Sequence, residues 1–382
     1  MTATTATRPG AGTLAAMKGP LKGVVLSGGK GSRLRPLTYT GAKQLVPIAN
    51  KPILFYAIEH LVEAGVRDIT IVVSPETGDQ VRRETGDGAR FGARIDYVTQ
   101  ELPGGIAQAI GLARDRVREA PFVAFLGDNF LSDGIVPQVQ AFAASGDDAA
   151  ILLKRVDDAR AFGVAEFDGK RLIRVVEKPQ QPPSDLAVIG IYMFTSGVFE
   201  AIDSIKPSAR GELEITDTIQ WLLDHGRSVR ADIIPGPWID TGRHDDLLEA
   251  NRLVLGKLRD HRDPGSVDAA SRLGGNVALQ AGATIIDSVV EGPAIIGERA
   301  RIEHAHIGPY TSIGHDCTVA RSSIAASVVM EATVIDGLRH PIIDSAIGRN
   351  VELRGSGTAA PADNPGGSYT LVLGDYSRMR VP

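Results

Sequence analysis

The residues best suited to chemistry come early in this chain, in the run Leu26–Thr38, LSGGKGSRLRPLT. Its glycines directly follow an apolar stretch, so backbone N–H groups can approach phosphate oxygens without side chains in the way. Arg33 adds a charged fork suited to a polyphosphate, and Lys43 follows in AKQLVPIANKPI. Two familiar phosphate loops do not fit. Lys30 is followed by Gly31 rather than Ser or Thr, which excludes a Walker loop. Leu34 stands where the third glycine of a dinucleotide fingerprint belongs. Glycines alone would say little, since tight turns need them anyway, and Lys43 alone could be a solvated surface lysine. Farther along, Asp128 follows the apolar run Phe122–Leu126 and Gly127, and Asp240 sits in WIDTG. Two carboxylates at strand ends suit a hard divalent cation that keeps waters and shares phosphate oxygens. Either one taken singly could equally be a turn or helix-cap aspartate.

These residues need elements to position them. Leu21–Ser27 reads as a buried strand. Ile53–Ala64 carries a helical stripe at Leu54, Ile58, Leu61 and Val62 that stops at Gly65. Asp68–Ser74, Arg94–Thr99, Pro121–Leu126 and Ala149–Val156 read as further strands, separated by helix-like segments such as Ile106–Val117. Alternating helices and continuous apolar strands predict an α/β sheet covered on both faces. Strand-rich stretches at Gly163–Val176 and Val188–Phe194 interrupt the alternation, so the sheet should be mixed. Helices near Ile215–His225 and His244–Leu258 should close this part.

Beyond HRDPGS (His261–Ser266) the pattern changes. Aliphatics recur at Ile296, Ile302, Ile307, Ile313, Val319 and Ile324, in steps of five or six. Small or turn-favouring residues follow at Gly297, Gly308, Gly314, Ala320 and Ala325, and Ile347-Gly348 repeats the unit. A period near six is neither helix nor hairpin. It predicts a coil of short parallel strands with one inward aliphatic per side. Gly355–Ser368 reads as a loop and Tyr369–Asp375 as a last strand. The expected organisation is therefore a leader at 1–20, a first domain at 21–260, a linker at 261–271 and a coiled domain with a tail at 272–382. The leader reads as disordered, and Met17 is a second candidate start.

The chain has 382 residues, 43% of them hydrophobic and 23% charged, with a net charge of −5. Interleaved charges of that sign argue against a nucleic-acid binder, which would show a basic stripe. No apolar run approaches a membrane span, and no secretory signal is visible. The single cysteine, Cys317, cannot form an internal disulfide, which fits a reducing, cytoplasmic setting.

Leu26–Thr38 with Ala42–Ile53 resembles the signature of the nucleotidyltransferases that make NDP-sugars. TQELPGGIAQA, LGDN, FGVAEFD, EKP, IGIY, GELEITD and WIDTGR occur in the order of that family's blocks, so the resemblance covers Leu21 to about Val381. Within the family the chain resembles the long form with a C-terminal β-helix. The resemblance implies a Rossmann-like mixed-sheet nucleotidyltransferase domain followed by a left-handed parallel β-helix. It implies dTTP and glucose-1-phosphate as partners, Mg²⁺ as cofactor and a homo-oligomer. Gly28, Gly29, Gly31 and Arg33 would cradle the triphosphate, with Lys43 also on phosphate. Gln100 and Gly105 would meet the base, and Asp128 and Asp240 would hold the metal. Gly163 and Glu177 would hold sugar hydroxyls, Lys178 the sugar phosphate, and Asn129 and Val188 would be their neighbours. Arg33, Lys43 and Lys178 would be the catalytic cations. One position departs from the family: Phe162 stands where a tyrosine is usual, which removes a hydroxyl.

Such a reaction brings two anions together, so cations and backbone donors should supply most of the catalysis, and no covalent intermediate is required. The absence of a G-x-S-x-G elbow agrees with that. Three other readings stay open at this level. A different nucleoside triphosphate, such as UTP, could be the donor. The chain could be a regulatory paralogue without activity, although the phosphate and metal residues are all retained. His304, His306 and His315 could serve an acyl transfer on the coils. In the family-based reading the coils organise assembly or regulation, and the chemistry should survive without them.

Overall fold

The computed structural model describes residues 19–356 and 367–381. Residues 1–18 of the expected leader, including Met17, and 357–366 of the expected loop lie outside that range.

The apolar runs form a nine-stranded mixed sheet. Its strands are β1 (Lys22–Ser27), β2 (Asp68–Val73), β3 (Arg94–Thr99), β4 (Phe122–Leu126), β5 (Ala149–Arg155), β6 (Gly163–Asp168), β7 (Arg171–Glu177), β8 (Leu186–Phe194) and β9 (Val229–Ile233). β3, β2, β1 and β4 lie side by side and parallel. β8 then runs antiparallel to β4 and to β6 on one edge and to β5 on the other, with a register shift against β5 between Val188 and Tyr192. β7 extends β6 as an antiparallel ribbon, and β9 adds to β5 in parallel. All nine residues of β8 are buried, as a strand covered on both faces should be. Phe122, Phe194 and Phe199 form an aromatic cluster in the core, and Ile110, Ile215, Ile219 and Leu222 line it from the helices.

The predicted helices occur with small adjustments. The first spans Ile53–Glu63. The segment expected at Ile106–Val117 is broken into Ile106–Leu112 and Arg114–Val117. The last two span Ile215–Asp224 and His244–Gly256.

The period near six becomes a left-handed parallel β-helix with three ladders of seven, seven and five strands. Successive aliphatics in the sequence lie on successive sides, and each stacks on its counterpart one coil away. One stack runs Leu279, Ile296, Ile313, Val329 and Ile347. A second runs Ile285, Ile302, Val319, Ile335 and Leu353. The third runs Val290, Ile307, Ile324 and Ile342. Together they are the core of the coils. The corners differ from expectation. Left-handed backbone falls on Arg299, His304, Tyr310, Asp316 and Arg321 rather than on Gly297, Gly308 and Gly314. Gly297 serves close approach instead: a Cβ there would stand 2.4 Å from the carbonyl carbon of Gly314 in the next coil.

Residues 261–271, expected as a linker, already carry paired strands. His261–Arg262 and Ser266–Val267 lie parallel to Val277–Leu279 and Thr284–Ile286. By packing, the chain divides into two units. Among the described residues, one holds those before Gly29 together with Tyr56–Trp238, and the other holds Gly29–Phe55 with those from Ile239. The segment after the glycine turn and the helix His244–Gly256 therefore group with the coils, and the division does not follow the expected boundary.

Candidate functional site

In the unit containing the large sheet, the site residues sit at strand ends. Gly28 follows β1, and a Cβ on it would lie 3.1 Å from Gln100 Oε1. Gln100 follows β3 and is held by its own backbone, whose N–H donates to Val73 O at 2.8 Å. Its side-chain amide donates to Gln108 Oε1 at 2.7 Å and to Gly105 O at 3.3 Å, which leaves its carbonyl oxygen on the Gly28 side. Gly105 has φ 98 and ψ 173, and a Cβ would collide with Leu213 O at 2.4 Å, so only glycine fits.

Asp128 and Asn129 follow β4. Asn129 is buried, donates to Asp128 Oδ1 at 3.1 Å and accepts the Trp238 indole N–H at 2.7 Å. Phe162 meets the Trp238 ring edge-on with centroids 5.4 Å apart, so the position without a hydroxyl buttresses this indole instead.

Three neighbouring strands bring Gly163, Glu177 and Val188 together, since Gly163 is paired with both of the others. A Cβ on Gly163 would stand 2.6 Å from Thr216 Cγ2 and so press on the threonine that donates to Glu177. Glu177 accepts from Thr216 Oγ1 at 3.2 Å and is ion-paired to Lys178 at 3.4 Å and Arg210 at 3.2 Å. Lys178 is exposed, in left-handed backbone at φ 40, and its N–H is held by Phe162 O. Arg210 also pairs with the buried Glu214 at 2.8 Å.

The other unit holds Gly29, Gly31, Arg33, Lys43 and Asp240. Gly31 takes φ 61 and starts the turn Ser32–Leu34; its carbonyl accepts from Thr38 Oγ1 at 2.7 Å. Lys43 opens a second one-turn helix, Lys43–Leu45. It is only 5% exposed, so it is no solvated surface lysine. A buried ammonium needs a counter-charge, and Asp240 supplies one at 3.6 Å. The same carboxylate lies 3.6 Å from Arg33 Nη2, on a side chain that is 64% exposed. Nearby, burial holds Asp246 above the ordinary carboxylate range, with the charge of Asp240 adding to that and the hydrogen bond from Arg243 N–H opposing it.

Four participants escaped the sequence reading. Gln108 and Arg210 fix other site residues: Gln108 lies in the block TQELPGGIAQA but was not singled out, and Arg210 lies in a loop with no distinguishing local pattern. Glu214 likewise lies in a named block, GELEITD. Gln44, beside Lys43, is buried with its Oε1 unpartnered, and its Nε2 would lie 3.5 Å from a Cβ on Gly29. His304 and His306 are tied to Asp287 and Glu291 on the coils, at 3.0 and 3.1 Å. Among the described residues no group of three or more His, Cys, Asp or Glu could hold a metal. Among them also, no helix is long and apolar enough to cross a membrane.

The profile of the nucleotidyl transferase family matches residues 22–257. The chain is 45% identical to glucose-1-phosphate thymidylyltransferase from Streptomyces griseus over 362 residues, 94% of this chain and 99% of that protein. It is 40% identical to the low-salt glycan biosynthesis nucleotidyltransferase Agl11 from Haloferax volcanii, over 94% of this chain and all of that protein. A crystal structure from Bacillus anthracis, assigned as a glucose-1-phosphate thymidylyltransferase in complex with sucrose, superposes with a TM-score of 0.58. It shares 42% identity and covers 61% of this chain and 94% of that one.

Proposed function

This chain belongs to the nucleotidyl transferase family, and on that premise we propose that it transfers a thymidylyl group from dTTP to glucose-1-phosphate. A phosphate oxygen of the sugar phosphate attacks the α-phosphorus. The bond from that phosphorus to the β-phosphate oxygen breaks, giving dTDP-glucose and pyrophosphate.

The observation that carries the reading is the buried Lys43, held with Arg33 around Asp240 just beyond a glycine turn. In this reading Gly28, Gly29, Gly31 and Arg33 cradle the triphosphate. Lys43 meets the charge that grows on it during transfer. Gln100 and Gly105 face the base, an amide being able to pair with a pyrimidine edge. Gly163 and Glu177 take sugar hydroxyls, with Asn129 and Val188 beside them, and Lys178 takes the sugar phosphate. Arg210 and Thr216 then orient Glu177.

A divalent cation, Mg²⁺ in this reading, fits the donor chemistry of Asp128 and Asp240. Both are only part-buried carboxylates, so waters and phosphate oxygens could complete the shell. Bound there, Mg²⁺ would neutralise phosphate charge. We further read the protein as a cytoplasmic homo-oligomer; exposed apolar residues on the coils, Val267, Val289, Val372 and Met379, support association.

Pyrophosphate release should be measured for four nucleoside triphosphates, each against several sugar-1-phosphates. The pair dTTP and glucose-1-phosphate should have the highest kcat/KM. Preference for another triphosphate would overturn the assignment of the base, and silence with every pair would overturn the reaction.

A further inference from the structure

The one-turn helix that carries Lys43 has little to hold it by itself, because a single turn fixes several torsions for very few hydrogen bonds. Its last carbonyl, Leu45 O, accepts Arg349 Nη2 at 3.1 Å, so a coil residue caps the turn. Three residues before Lys43, Thr40 Oγ1 donates to Asp375 Oδ2 at 2.5 Å. Arg349 and Asp375 also hold each other. Asp375 Oδ1 accepts the Arg349 N–H at 2.7 Å, and the two side chains are ion-paired at 3.8 Å. Asp375 is buried, with only 5% of its side chain exposed, and Glu331 engages Arg349 Nε at 2.9 Å. Beside them Gly374 presses on the loop: a Cβ there would lie 2.8 Å from Pro36 O.

The far end of the same segment is tied as well. Asn251, 1% exposed, accepts Ala49 N–H at 2.9 Å and Ser312 Oγ at 2.7 Å, and donates to Tyr310 O at 3.1 Å. Asn50 Nδ2 donates to Ile313 O at 2.7 Å.

We propose that Arg349 and Asp375 of the β-helix are positioning residues for nucleotide binding, because they clamp the segment bearing Arg33 and Lys43 at Thr40 and Leu45. The inference rests on the reading of that segment as the triphosphate site. The coils then act in the reaction through geometry, and contribute no group that touches substrate. A part-buried guanidinium held between Asp375 and Glu331 suits this task, since removing it would leave the Asp375 carboxylate, 5% exposed, without its counter-charge.

The test uses the full chain carrying Thr40→Val, Arg349→Lys or Arg349→Ala. Arg299→Ala serves as control, removing an exposed coil arginine paired with Asp316 and Glu298. Steady-state kinetics with dTTP and glucose-1-phosphate are read beside hydrogen exchange of the peptide spanning 36–46. Each clamp variant should raise the KM for dTTP by about tenfold or more while the KM for glucose-1-phosphate stays within about twofold. Exchange in 36–46 should quicken while the inner coil strands stay protected, and Arg349→Lys should lose less than Arg349→Ala. Thr40→Val is the variant least able to disturb folding, because Thr40 is exposed. Unchanged dTTP KM and unchanged loop exchange in the folded variants would overturn the proposal. So would a parallel rise in both KM values that tracks a falling melting temperature. A wild-type chain that releases no pyrophosphate would instead sink the function, and the exchange data would still report on the clamp.

Discussion

Lys43 and Asp240 illustrate what a buried charge demands. An ammonium that is 5% exposed survives only beside a carboxylate, and Asp240 meets both it and Arg33. Asp240→Asn keeps the shape, takes the negative charge from beside Lys43 and Arg33 and removes a proposed metal ligand; Asp128→Asn removes the other proposed ligand. Turnover of either variant should fall by about 10²-fold or more with folding intact. The check is pyrophosphate release across a Mg²⁺ series, and near-normal rates at saturating metal would dismiss the assignment. The two exposed cations should part company kinetically. Arg33→Ala should damage the use of dTTP, and Lys178→Ala the use of glucose-1-phosphate, each by roughly 1.5–3 kcal/mol. Identical defects towards both substrates would contradict that division. At this scale the sequence drew attention to charged residues in short motifs, and the structure brings three of them, Arg33, Lys43 and Asp240, together. Nothing in the sequence marked Arg210, whose part lies only in what it touches.

Gly105 shows backbone helping Gln108 to fix the Gln100 side chain. Gly105→Ala would force a Cβ into Leu213 O from a conformation that L residues avoid. The expected loss is about 1–3 kcal/mol in stability, with the Gln100 amide released from its carbonyl. Gly226→Ala separates clash from strain, because Gly226 has φ 69 but nothing within 4 Å of the added methyl. Denaturant midpoints of the two variants should therefore differ clearly, and equal losses would show that the Leu213 contact relaxes. In the coils, burial pushes the Cys317 thiol up to about 12, and its S–H donates to Met330 O at 3.0 Å. Alkylation at pH 8 should leave native protein unmodified and label it after unfolding. Rapid labelling of the native chain would mean that these coils open.

The whole molecule bears on what the coils are for. Ala49 and Leu255 pack with Ala278 and Ile295, and Val254 and Leu258 border them. Cutting the chain after Asp260 would expose that apolar cluster, remove the partners of Asn251 and Asn50, and release Thr40 and Leu45. The chemistry expected from the family-based reading to persist without the coils should therefore be lost. The truncated chain should aggregate, or stay soluble with dTTP turnover below about one hundredth of the full chain. Light scattering and a pyrophosphate assay decide it; a soluble truncation with full turnover would restore the independent-domain reading.

By itself the sequence determined both fold classes. Apolar runs of strand length, helical stripes and a period near six are local patterns, each recorded in residues close together along the chain. The glycine turn with Arg33 stood out for the same reason, as residues close together in one short run, and so did its resemblance to the family signature. Tertiary structure decided the rest. Arg349 lies 304 positions from Leu45, and Asp375 lies 335 from Thr40. No local pattern encodes such pairings, because burial of a charge and capping of a lone turn exist only after distant segments have packed.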